Sequence, residues 1–231
     1  MKNKKGLIIV VEGTDSSGKA TQTNLIYKRL LSEGIQIKKV SFPRYDNASS
    51  TLVKMYLNGD FGKTAESVSP YIASTFYAAD RYASYKQDWE EFYLNGGIII
   101  MDRYTQSNMI HQGGKFIDQV EREKFLNWLM DLEYNIYGIP IPDLIFFMDV
   151  PLSYSLDLMK DRNNKITNEE AKDIHEKDIK HLADSYKCAT TLINKYGWKW
   201  INCINRNKLR DIQDINDEIY SIIKRKIKEC E

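Results

Sequence analysis

Cysteine is scarce in this chain, with three among 231 residues. Cys188, Cys203 and Cys230 lie far apart, are odd in number and form no C-x-x-C pair. That pattern excludes a disulfide framework and lends no support to a cysteine zinc site, leaving reduced thiols in a cytoplasmic protein as the simple reading. Net charge is almost absent too, Lys+Arg 33 standing against Asp+Glu 32. No global drive toward nucleic acid or a membrane surface follows, so any anion site must be assembled locally. Long apolar runs are also missing: nothing approaches the roughly 18 residues that span a bilayer. The basic start Met1-Lys2-Asn3-Lys4-Lys5 has the look of a signal peptide front. The apolar stretch behind it is only Leu7-Ile8-Ile9-Val10-Val11 before Glu12, and reads as a first strand instead. Internal repeats and Gly/Ser linkers are absent, so residues 1–231 read as one domain.

What the chain does contain is a regular alternation of short apolar runs and helical stretches. The candidate strands are Leu7–Val11, Lys38–Phe42, Ile98–Met101, Leu144–Val150 and Trp198–Ile204, each rich in Ile, Val or Phe as in a parallel sheet covered on both faces. Helices are predicted at about 19–33, 69–94, 118–134, 151–161, 173–196 and 211–228, with Ser69-Pro70 as a start signal and Gly34 and Gly96-Gly97 as stops. One α/β domain with right-handed crossovers follows. The polar, aperiodic stretch from Asp161 to Asn168 is a candidate for part of a mobile flap over about 162–172.

Between the first strand and the first helix stands Glu12-Gly13-Thr14-Asp15-Ser16-Ser17-Gly18-Lys19-Ala20-Thr21, a G-x-x-x-x-G-K phosphate loop in its proper context. Gly13 and Gly18 permit a tight turn that aims backbone N–H groups, those of Ser16 and Ser17 among them, at one phosphate chain. Lys19 and the helix N-terminus add positive charge. The hydroxyl usual after the lysine, a magnesium contact, is missing at Ala20; Thr21 carries one a residue later. In a parallel sheet ligands sit beyond the carboxyl ends of strands, and there lie Phe42-Pro43-Arg44-Tyr45, Asp102-Arg103-Tyr104 with Ser107-Asn108, and Asp149-Val150-Pro151. Asp102 is suited to magnesium-bound water and Arg103 to bidentate phosphate contact. Arg44 and Arg103 together suggest a second phosphate site, which favours a nucleotide acceptor over a nucleoside, since two phosphates repel and need cations between them. Tyr77 and Arg81 are four apart on one helix face; spacing alone favours an aromatic core stripe with a snorkelling arginine over a base-stacking pair. His175 and His181, six apart on a predicted helix, are expected to face apart and meet solvent, so the three histidines make no metal site. His111 is equally a pocket wall or a loop histidine.

In order and spacing, Gly13 to Gln22, Phe42-Pro43-Arg44, Tyr77…Asp80-Arg81, Asp102-Arg103-Tyr104…Ser107-Asn108 and Pro142-Asp143-Leu144…Met148-Asp149-Val150-Pro151 resemble the thymidylate kinases, over roughly residues 6–200. The resemblance implies a P-loop NTPase-type three-layer α/β/α fold with a five-stranded parallel sheet, and transfer of the ATP γ-phosphoryl group to dTMP with Mg2+. It gives Lys19 and the loop, from Gly13 through Thr21, the donor phosphates. Asp15 falls near the acceptor sugar and magnesium, and Arg44 and Arg103 on the acceptor phosphate. Asp102 takes metal-bound water, and Tyr77, Arg81, Ser107 and Asn108 the base pocket, with Phe42 beside them. His111 stands where a tyrosine often contacts the sugar, Arg44 follows Pro43 without the usual intervening residue, and Ser16 stands where some members carry arginine. In members without that arginine the flap supplies the cation, for which Arg162 and Lys165 are available. A homodimer is also implied. Beside this reading stand a kinase for another deoxynucleotide or deoxynucleoside and a degenerate nucleotide-binding protein.

Overall fold

The computed structural model describes residues 5–160, 173–175 and 178–230. Strands β1 (Ile8–Gly13), β2 (Ile37–Ser41), β3 (Ile98–Asp102), β4 (Leu144–Asp149) and β5 (Lys199–Asn202) form one sheet in the order β2-β3-β1-β4-β5. Every neighbour pair is parallel, with Val11 opposite Asp102 and Phe146. The run after Trp198 divides, because Ile204–Asn205 leaves the sheet and pairs antiparallel with Lys208–Leu209.

Alternation along the buried strands supplies both faces of the core. Ile9 and Val11 join Ile100, Phe146 and Met148 beneath α1 (Lys19–Ser32), while Ile8 and Val10 join Ile99, Met101 and Trp89 on the other face. A C-terminal helix over Ile212–Cys230 closes the first face with Ile215, Ile219, Ile223 and Ile227. Gln22 links α1 to it, donating to the Ile212 carbonyl at 2.9 Å and accepting from Asn216 at 2.9 Å.

The long second helix begins at Pro70, where the missing N–H costs nothing. Ser69 precedes it without a side-chain capping bond. It runs to Ser84 and passes through a π-helical turn at Tyr85–Trp89 before Glu90–Leu94. A second π turn, Asp131–Ile136, extends the helix Gln119–Met130. Helices at Thr51–Asn58, Thr105–His111 and Ile179–Tyr196, with one at Leu152–Lys160, complete the layers. The three-layer α/β/α class and five-stranded parallel sheet are as predicted. The helix expected over 173–196 begins only at Ile179, where Asp178 caps it by accepting from the His181 backbone N–H at 2.9 Å. The flap expected at 162–172, with Arg162 and Lys165, lies outside the described residues.

Candidate active site

Three strand ends converge at the carboxyl edge of the sheet. After β1 the chain turns through the phosphate loop, where Gly13, Ser16 and Gly18 take positive φ of 156°, 58° and 85°. At Gly13 a side chain would meet the Ser17 Oγ at 2.6 Å and the Met148 carbonyl at 2.8 Å, so the loop can pass β4 only without one. Lys19 folds back over the loop and donates to the Thr14 carbonyl at 2.5 Å and to the Ser17 hydroxyl at 3.4 Å. The Ser16 hydroxyl is buried with no protein partner. The loop thus sets the Lys19 ammonium and the Ser16 hydroxyl beside the start of α1. Ala20 and Thr21 both lie exposed on the first turn of α1.

At the end of β3, Arg103 adopts a φ of 68°, a left-handed conformation that a non-glycine residue holds only under tertiary constraint. That turn directs its guanidinium back toward the phosphate loop, where it pairs with Asp15. It also donates to the Ser107 hydroxyl at 3.2 Å and lies 3.3 Å from His111 Nε2. Burial opposes its charge, yet Asp15, Glu12 and Asp102 together hold its pKa above the ordinary arginine value. Glu12, fully buried, is the anchor beneath: it accepts from the Tyr104 backbone N–H at 2.9 Å and from Ser107 at 2.9 and 3.0 Å. Burial raises the Glu12 carboxyl above its usual range, against the pull of Arg103 and these donors. Sequence reading passed over Glu12; its signal was an acid closing an otherwise apolar strand.

Beside Arg103 opens a cavity of about 300 Å³ lined by Asp15, Ala20, Phe42, Tyr45, Tyr77, Arg81, Asp102, Ser107, Asn108, His111 and His175. Its size and mixed apolar and polar wall suit one small organic ligand. Of the residues predicted around the acceptor, all but Arg44 line this cavity. Arg44, although close in sequence, pairs with Asp80 and Asp88 and donates to Ser49 at 2.9 Å, and it lines a separate cavity on the outer side of Pro43 and Tyr45. Asp80 also accepts from the Arg44 backbone N–H at 2.9 Å, holding the residue to that side.

Arg81 does not snorkel. It is fully buried, and Glu133 on the second π turn binds its Nε and Nη2 at 2.6 Å each, while the Thr105 hydroxyl donates to the same carboxylate at 3.0 Å. One Nη1 is left for the pocket side, 3.5 Å from the Tyr104 carbonyl. Glu133 carried no sequence signal, being 52 residues away. Asn108 donates to the Ser74 carbonyl at 3.2 Å, which ties the cavity wall to the helix that carries Tyr77.

The histidines overturn their expectation. His175 precedes the helix rather than riding on it, so the six-residue spacing does not separate it from His181. Both are buried, together with His111 at the end of the Thr105–His111 helix. The ring centroids of His175 and His181 are 4.4 Å apart, and His111 lies 6.2 and 5.8 Å from them.

A family profile described as thymidylate kinase matches residues 11–219. The thymidylate kinase of Plasmodium falciparum is 27% identical over 227 residues, covering 97% of this chain and 93% of its own. A probable thymidylate kinase of Pyrococcus horikoshii is 25% identical, covering 96% of this chain and 98% of its own. In fold, the chain is similar to a solved thymidylate kinase of Candida albicans, with a TM-score of 0.70 at 22% identity over 98% of this chain and 94% of that one. Phosphate loop, parallel sheet order and near full-length match agree, and the chain belongs to the thymidylate kinase family.

Proposed function

We propose that this protein transfers the γ-phosphoryl group of ATP to dTMP, all of residues 1–231 working as one kinase domain. The observation that carries the reading is the Arg103 guanidinium, held by Asp15 and Ser107 between the phosphate loop and the adjoining cavity. Lys19, Gly13 to Thr21 and the N-terminus of α1 take the donor phosphates. The acceptor sits in the cavity with its phosphate at Arg103, its base against Tyr77 beside Phe42, and its base edge toward Arg81 and Asn108. His111 faces its sugar. A monoester phosphate, with a second pKa of about 6, is already ionised at neutral pH and needs no general base. An acceptor phosphate oxygen attacks the γ-phosphorus in line as the bond to the ADP oxygen breaks. What the protein contributes is position and cations against the repulsion of the two phosphates.

The reaction implies Mg2+, an oxygen-seeking cation that keeps several of its waters. The donor set fits: Asp102 Oδ1 is buried without a protein partner, and Asp15 stands across the same pocket. These two carboxylates are the residues to hold it, through water and the nucleotide phosphates, where it neutralises phosphate charge. Ala20 offers no ligand. The role proposed for Arg44 is to brace the Pro43–Tyr45 wall of the pocket through Asp80, since its guanidinium is committed there.

Coupled ADP release with ATP, magnesium and a panel of dTMP, dUMP, dCMP, dGMP, dAMP and thymidine tests the reading. The fastest rate is expected with dTMP, because the cavity suits a single ring with a carbonyl edge. Equal or faster turnover of dGMP or dAMP would refute it, and no ADP release with any acceptor would leave only a nucleotide-binding protein.

A further inference from the structure

We propose that His111, His175 and His181 form a binding site for a divalent transition-metal ion of the zinc type, separate from the magnesium that accompanies ATP. One ring nitrogen from each lies within 4.8 Å of the other two, and all three residues are buried, at 9%, 7% and 2% exposure. Coordination at normal zinc–nitrogen distances needs the rings to close by a fraction of that separation. The three come from separate pieces of chain: the end of the Thr105–His111 helix, residues 173–175, and the first turn of the Ile179–Tyr196 helix.

Two of the nitrogens point to a ligand. His111 Nδ1 and His181 Nε2 are buried with no hydrogen-bond partner in the protein. Buried imidazole nitrogens are ordinarily satisfied, and two orphans in one cluster lack an account in packing alone. His175 is oriented as a metal ligand commonly is, by a polar partner on its other nitrogen: its Nε2 lies 2.8 Å from the Tyr56 hydroxyl, which accepts from Lys115 at 2.9 Å. With the Tyr56 proton given to the Ala65 carbonyl at 3.1 Å, His175 donates from Nε2 and leaves Nδ1 as the lone pair. Burial, and then neighbouring charge, drives all three rings toward the neutral form that a metal requires. The charged groups acting on the cluster are Arg103, Lys19 and Lys115 on one side and Asp15, Asp178 and Asp184 on the other. Neutral imidazoles suit zinc, cobalt, nickel or copper, whereas magnesium prefers oxygen.

Binding would displace one proton position. Arg103 faces His111 Nε2, so in the metal-free ring the proton rests on Nδ1. A metal at Nδ1 obliges that proton to move to Nε2. Arg103 then keeps Asp15 and Ser107 but loses His111.

The test is titration of the full chain, stripped with a chelator and free of nucleotide, with Zn2+ and separately with Co2+ in excess Mg2+. One equivalent of each is expected to bind, Co2+ giving the intense visible absorption of a four-coordinate nitrogen site and Zn2+ raising the melting temperature. His181→Ala and His175→Ala should each weaken binding by about tenfold or more, since even outer partners of metal ligands reach that size. Should either variant fail to fold, the cobalt spectrum of the unaltered protein decides alone. No binding above surface level, a weak six-coordinate cobalt spectrum, or affinity unchanged in both folded variants would each overturn the proposal. Because no nucleotide is present, the result does not depend on the kinase reading.

Discussion

At the scale of single residues the site is built from charges that share partners, and their removal should separate chemistry from binding. Lys19→Ala removes the cation proposed to face the donor phosphates and should lower kcat by roughly a hundredfold or more, the usual size for a preorganised charge at a reacting phosphate. Arg103→Ala should lower kcat comparably and raise KM for dTMP while leaving KM for ATP nearly unchanged. A KM change falling on ATP would place Arg103 on the donor side. Arg81 and Glu133 make a different prediction, because both are at most 1% exposed. Glu133→Gln leaves a buried guanidinium with a neutral partner and should cost about 3 to 5 kcal/mol of stability, measured by urea unfolding. Replacing both, as Arg81→Met with Glu133→Leu, should recover most of that loss and still bind dTMP poorly. An unchanged Glu133→Gln midpoint would mean that water reaches the pair. The contrast between these residues also explains what could be read in advance. Lys19 and Arg103 stand in local motifs at strand ends, while Glu133 is found only after the chain has folded across 52 residues.

Elements were legible where one period dominated. The buried strands read correctly to within a residue or two because their hydrophobic runs are continuous, and α1 because two glycines and a lysine fix its start. The helices at Thr51–Asn58 and Thr105–His111 are absent from the sequence reading: both are short, the first with a stripe of only Val53, Tyr56 and Leu57, and the second is almost entirely buried and has no polar face to set against an apolar one. The error at residues 173–178 had the largest consequence. Extending helical spacing through His175 set it on the wrong face, and the real boundary is a cap, Asp178, rather than a change of pattern. Caps of this kind are measurable. Asp118 accepts from the Glu121 N–H at 2.9 Å at the start of the Gln119–Met130 helix, on an exposed surface. Asp118→Ala should cost about 1 kcal/mol in thermal or urea unfolding and leave kcat and both KM values unaltered. A loss of activity with no loss of stability would mean that this helix end takes part in catalysis.

For the molecule as a whole, periodicity marks five strands and the layers around them, but the strand order β2-β3-β1-β4-β5 depends on contacts far apart in sequence, and no local pattern carries it. The same holds for assembly. No helix among the described residues is long and apolar enough to cross a membrane. Pairing of two copies of this chain is the proposal that the resemblance suggests. One patch fits it. The Tyr71 and Phe116 rings meet edge to face with centroids 6.1 Å apart, which brings the start of the Pro70–Ser84 helix against the segment before Gln119. Their chain neighbours Ile72 and Ile117 are 53% and 94% exposed, and Val120 is 62% exposed. Two such patches facing each other would remove apolar surface from water, which stabilises by roughly 25 cal/mol per Å² buried. The unaltered protein is therefore expected to sediment at twice the chain mass of 27.0 kDa. Ile72→Glu together with Ile117→Glu should shift it to the monomer without costing the fold more than about 1 kcal/mol of stability in urea unfolding, because surface changes of this kind rarely cost more. Sedimentation of the unaltered chain as a monomer at micromolar concentration would remove the pairing altogether. A dimer that survives both substitutions would place the interface on another face.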